Sequence, residues 1–163
     1  MTMKSLPHQL NNRKFTKAVV FVHGLDGSAK SWMGDPNKFI NRLSREREIY
    51  NHIGLFAFEY DTKIGEPAPL IKLFISQETK FNMDLKRIAM QLKASLREIL
   101  EGYKTIVLVG HGMGVSVIKN ALNNDDTHCL VLEVDDPASD LAYDKILALL
   151  HQLLEVGKQT GHN

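Results

Sequence analysis

TIVLVGHGMGVSVIKNAL, residues Thr105 to Leu122, is the stretch around which the chain is organised. Thr105 to Val109 form a short apolar, β-branched run, the pattern of a strand buried on both faces. Gly110-His111-Gly112-Met113-Gly114 follows at once, and then a helix-period segment with Val115, Ile118 and Leu122 on one face. A strand, a sharp glycine turn and a helix are where α/β folds place ligands. The turn aims backbone N–H groups and the positive helix end at whatever lies above it. The spacing G-x-?-x-G matches the nucleophile elbow of serine hydrolases, G-x-S-x-G, but the central residue is Gly112.

Outward from that stretch, the same alternation recurs. Ala18 to Val22 is a buried-type strand running into His23-Gly24-Leu25-Asp26-Gly27. Asp35-Pro36 reads as a helix start, with Phe39, Ile40 and Leu43 inside and Arg42, Arg45, Glu46 and Arg47 on a solvated face. Ile53 to Tyr60 is a third strand. Residues 61–77, with Gly65, Pro67 and Pro69, read as an irregular lid-like excursion. Phe81, Leu85, Ile88, Leu92, Leu96 and Ile99 predict a long amphipathic helix closed by Gly102. After the elbow come a strand, Cys129 to Val134, and a leucine-rich helix capped by Ser139 and stopped by Gly157. Leucines over so wide an arc imply packing on two sides, against a partner or a second copy. The order predicts an α/β fold of three layers, α/β/α, with a mostly parallel four-stranded sheet. A lead-in at 1–16, one domain at 17–157 and a tail at 158–163 complete the division.

Length and charge narrow the function. The 163 residues suit a single domain, and 20 Lys plus Arg against 19 Asp plus Glu give a net charge of +1. So even a balance argues against a nucleic-acid partner. Cys129, the only cysteine, excludes an internal disulfide and fits a reducing cytosol. No signal-peptide core and no membrane-length apolar run is present, so a cytoplasmic protein is expected. Asp135, Asp136 and Asp140 suit a strand end and helix cap better than a metal site. Trp32 and Tyr60 read either as pocket lining or as core.

His23-Gly24 after a strand, Trp32 beyond it, Phe58-Glu59-Tyr60-Asp61 closing the next strand, and Gly110-His111-x-Met113-Gly114 together resemble the α/β-hydrolase superfamily. The nearest likeness is to its lipase-like serine esterases, whose elbow usually reads GHSMGG and whose oxyanion loop begins HG. The likeness spans about Ala18 to Ala142, a shortened version of the hydrolase core, and implies that the four strands lie side by side in the order second-first-third-fourth. It implies a domain that in active relatives cleaves carboxylic ester or acyl bonds with no metal and no cofactor. Carried over by position, Gly112 is the vacant nucleophile site, and the N–H groups of Met113 and Leu25 face an oxyanion. His23 and Gly24 shape the oxyanion loop, His111 is a structural histidine of the elbow, and Asp136 stands for the acid.

The departures from the family decide what the resemblance predicts. Gly112 has no attacking atom, and Ser116, one helical turn on, is expected to be buried or displaced from the bend. Val115 stands where the family generally has another glycine. No histidine is placed as a base: His151 lies on the last helix, His162 in the tail, and His111 inside the elbow. An acid without nucleophile or base does no acyl chemistry. The expectation is a catalytically silent hydrolase-like domain that binds or assembles. It would be natural and degenerate, a fragment of a longer polypeptide, or a Ser-to-Gly knock-out. The partners it implies are a small acyl or lipid-like ligand, or a protein or second copy on the last helix or open sheet edge. A second class remains open at the same residues. Strand, Gly110-x-Gly112, helix, strand and Asp135 also resemble a dinucleotide-binding βαβ unit, although the third fingerprint glycine falls at Val115.

Overall fold

Strand alternation divides the apolar residues between two cores. The computed structural model describes residues 2–5, 15–25, 27–61 and 76–159. The strand β2 (Lys17–Val22) turns Ala18, Val20 and Val22 to one face and Val19 and Phe21 to the other. Parallel neighbours flank it, β3 (Ile53–Glu59) on one side and β4 (Thr105–His111) on the other; β5 (Cys129–Val134) pairs in parallel with the far side of β4. These four strands lie in the order that the hydrolase resemblance implies.

The sheet, however, is five-stranded and mixed. Thr2–Ser5, expected to be part of a lead-in, is β1, and it pairs antiparallel with β3 to give the order β1-β3-β2-β4-β5. Its composition hid it: in this short polar edge strand Met3 is partly buried, while Lys4 reaches Glu59 at 2.6 Å across the pair.

Helices cover both faces. On the Val20 face pack α3 (Gln77–Ile99) and α4 (Met113–Ala121); on the Phe21 face pack α1 (Phe39–Leu43), α2 (Arg47–His52) and α5 (Asp140–Gln159). The first helix starts at Phe39 rather than at Asp35-Pro36, because Asp35 spends its carboxylate on the N–H of Asn37 in a turn. Ile99 is exposed, and Leu100, four residues after Leu96, takes the inner position. Ser139 does cap α5, its hydroxyl accepting from the N–H of Ala142, but the helix runs through Gly157 to Gln159. Arg42 is not merely solvated: it lies 3.7 Å over the Tyr143 ring and reaches Asp140 at 2.7 Å, tying α1 to α5. Trp32 is core, packed between Phe21 and Phe39. The lid-like excursion around Gly65, Pro67 and Pro69 lies outside the described residues, as do Asp26 and His162.

Candidate functional site

Chain order changes direction between β2 and β4. From β2 the chain moves to β3 on one side, then crosses back to β4 on the other. Such a switch point opens a crevice at the carboxyl ends of the strands, where open α/β sheets bind ligands. The loops that leave β2 and β4 there are His23-Gly24 and His111-Gly112, the two motifs that carry the family resemblance.

Steric contact joins them. A Cβ on Gly24 would lie 3.1 Å from the His111 Nδ1 and 3.2 Å from its carbonyl oxygen, so the β2 loop and the elbow approach closely there and a side chain would have to push its neighbour aside by a few tenths of an ångström. Gly112 adopts φ 54° and ψ −124°, a conformation costly for residues with a side chain. Its flanks are tight. A Cβ on Gly114 would stand 2.3 Å from the Val22 carbonyl oxygen, and one on Gly110 2.9 Å from the Val115 nitrogen. Above Gly112 there is room among the described residues: a Cβ there meets only the Gly24 Cα, at 3.8 Å. The bend is thus closed wherever it touches the sheet and open where a side chain would point.

Two backbone segments meet at the same bend. Met113 begins α4, so its N–H belongs to the first helical turn and has no acceptor within the helix. Opposite, the N–H of Gly27 bonds the Gly24 carbonyl at 3.1 Å, curling the loop into a turn with Leu25 on its outer side.

His23 is fully buried and structural. Its Nδ1 lies 2.8 Å from the Gly24 carbonyl, which can only accept, so the proton sits on Nδ1. Nε2 then accepts from the Tyr60 N–H at 3.2 Å, and the Tyr60 hydroxyl donates to the His23 carbonyl at 2.6 Å. The two rings stack with centroids 4.1 Å apart. Burial holds the imidazole pKa below the ordinary histidine value, against the opposing pull of the Gly24 carbonyl and the Glu59 charge. With both ring nitrogens engaged, His23 shapes the loop. Burial likewise raises the Tyr60 phenol above the usual range.

An open crevice of about 350 Å³ runs from the bend toward β5, lined by His111, Gly112, Ser116, Lys119, Glu133 and Asp135 among others. Asp136, the acid implied by the resemblance, does not line it; its carboxylate accepts from the Ala138 N–H at 2.8 Å in the turn before α5. Asp135 does. Register could have found it: His111 stands opposite Val134, which carries Gly112 and Asp135 to adjacent positions. Ser116, expected to be buried or displaced, is half-buried and reaches the crevice wall. His151 lies elsewhere, on α5, 3.6 Å from Glu48 of α2. Asp140 is held by Arg42, and among the described residues no three His, Cys, Asp or Glu side chains converge as metal ligands.

No protein-family model matches the chain, and no curated protein matches its sequence.

Proposed function

We propose that this chain is an α/β-hydrolase-like, esterase-type domain that holds an acyl carbonyl without cleaving it. The observation that carries the reading is Gly112: a bend with φ 54°, clamped by Gly110 and Gly114, with open space where a nucleophile would stand. A carbonyl oxygen entering beside it finds the Met113 N–H, and the Leu25 turn faces the same bend, a pairing suited to polarising an ester. Nothing then attacks the carbon. His23 has both ring nitrogens committed, and Asp136 serves its own turn. The described walls are mostly polar, with Ser116, Lys119, Glu133 and Asp135, which favours a short polar acyl group over a long lipid chain.

Assays with p-nitrophenyl acetate and butyrate test this. Neither the chain as written nor Gly112→Ser is expected to release p-nitrophenol faster than buffer, because the serine arrives without a base. Restored turnover in Gly112→Ser alone would refute the missing base. Weak saturable binding of the corresponding amides, lost in Gly112→Val because its side chain fills the opening, is the positive expectation.

A second reading has one observation in its favour. Asp135 lines the same crevice as Gly112, as a ribose-binding acid would beside a glycine turn. Tight binding of NAD in a thermal-shift titration, reduced by Asp135→Ala, would favour a dinucleotide module over the acyl site.

A further inference from the structure

The outer edge of β5 does not suit exposure. CLVLEV has the composition of a strand covered on both faces, yet among the described residues β5 pairs only with β4, and Leu130 and Val131 remain 40% and 38% exposed. Leu141, 67% exposed on the first turn of α5, borders the same shallow groove as Leu132. We propose that two copies of this chain pair through β5, antiparallel and edge to edge, so that their sheets become one.

Handedness excludes the simplest competitor, a strand leading on from α5. The connections through α3 and α4, on the Val20 face, both carry the chain toward β5. The connection through α1 and α2, on the opposite face, carries it the other way, from β2 to β3. A right-handed crossover from α5, which shares the face of α1 and α2, therefore leads away from the free edge.

Hydrogen-bond parity sets the register. The Ile106 N–H donates to the His128 carbonyl at 3.0 Å, so Leu130, Leu132 and Val134 turn their backbone groups toward β4 and Cys129, Val131 and Glu133 turn theirs outward. The Cys129 N–H is taken by the Asp126 carbonyl. A two-fold axis through Val131 uses all the rest except the Glu133 carbonyl, whose partner would be the Cys129 N–H already taken. Val131 exchanges both bonds with Val131 of the second copy, and each Glu133 N–H meets the opposite Cys129 carbonyl. On the faces, Leu130 then stands against Leu132 and Val131 against itself.

Charge agrees. Glu133 is the one charged residue in β5, and Lys119 neutralises it at 2.6 Å. The register places Glu133 against Cys129, so no like charges meet within the strand pair. No lysine or proline guards this edge, whereas Lys4 stands in the middle of β1 at the opposite one.

Sedimentation velocity on the whole chain is expected to give twice the chain mass. Val131→Pro leaves the β4 ladder intact, because that N–H points outward, and removes two intermolecular bonds. It should raise the dissociation constant about 100-fold. Leu130→Lys, which places charge on the joined surface without touching the backbone, should also give monomer. In a Cys129→Ser background, a short bismaleimide should join Val131→Cys into a covalent dimer, since paired Cα atoms at the axis lie about 5.5 Å apart. A wild-type monomer at every accessible concentration would overturn the proposal. So would a dimer that survives both edge substitutions or fails to cross-link through residue 131.

Discussion

Gly114→Ala is expected to be the most damaging single methyl group that can be added to this chain. The new carbon would lie 2.3 Å from the Val22 carbonyl oxygen, 2.7 Å from that of His23 and 2.9 Å from the Val22 carbonyl carbon. All three are backbone atoms of the central strand and its exit loop, and they cannot swing aside as a side chain could. Either α4 lifts from the sheet, exposing Val117 and Ile118 from the core, or β2 shifts and strains its two parallel ladders. Overpacking typically costs about 1–3 kcal/mol, and a backbone-locked clash belongs at or beyond the top of that range. Gly112→Ala meets no clash among the described residues; its cost is the positive-φ backbone alone, about 1–3 kcal/mol. Gly110→Ala falls between, because one of its contacts is the movable Ile118 Cδ1. Urea midpoints should therefore rank Gly112→Ala above Gly110→Ala above Gly114→Ala. A Gly114→Ala protein as stable as Gly112→Ala would contradict the packing of the bend.

That ranking separates what composition could reveal from what it could not. The β-branched runs at Ala18–Val22 and Thr105–Val109 are buried on both faces, so the apolar pattern marks the parallel strands, while the order of the four main strands comes from the hydrolase resemblance and not from chain order. The strand at Thr2–Ser5 was illegible because its identity resides in its partner: Met3 and Lys4 become a strand only through bonds to β3. Helix ends were read from single residues and drifted where tertiary contacts override them, as at Gly157, which α5 passes through beside Lys17. Within the site, the glycines were legible because close approach leaves a signature in sequence. The crevice-facing acid was not. Asp135 and Asp136 are chemically identical neighbours, and only strand register tells which one stands beside Gly112.

Replacing His23 carries the second large effect and has a pH dependence that a merely tight core position would lack. His23→Ala removes the acceptor of the Tyr60 N–H, the donor to the Gly24 carbonyl and a ring stacked on Tyr60. An orphaned amide and an apolar void together should cost about 2–4 kcal/mol above pH 7. Because burial lowers the folded-state pKa, both folded and unfolded chains hold a neutral imidazole at high pH, and the stabilisation is complete there. As pH falls through about 6.5, the unfolded chain takes up a proton that the folded one resists, so wild-type stability declines until the folded pKa is reached. Glu59 acts in the same direction at lower pH. The Lys4 ammonium and then the Ala29 N–H hold its carboxyl below the usual value, so its contribution fades only as acid protonates it. The gap in unfolding free energy between wild type and His23→Ala should consequently be widest near pH 8 and shrink toward pH 5. A gap constant across that interval would mean that the imidazole is not held neutral between Gly24 and Tyr60, and the loop facing Gly112 would lose its proposed anchor.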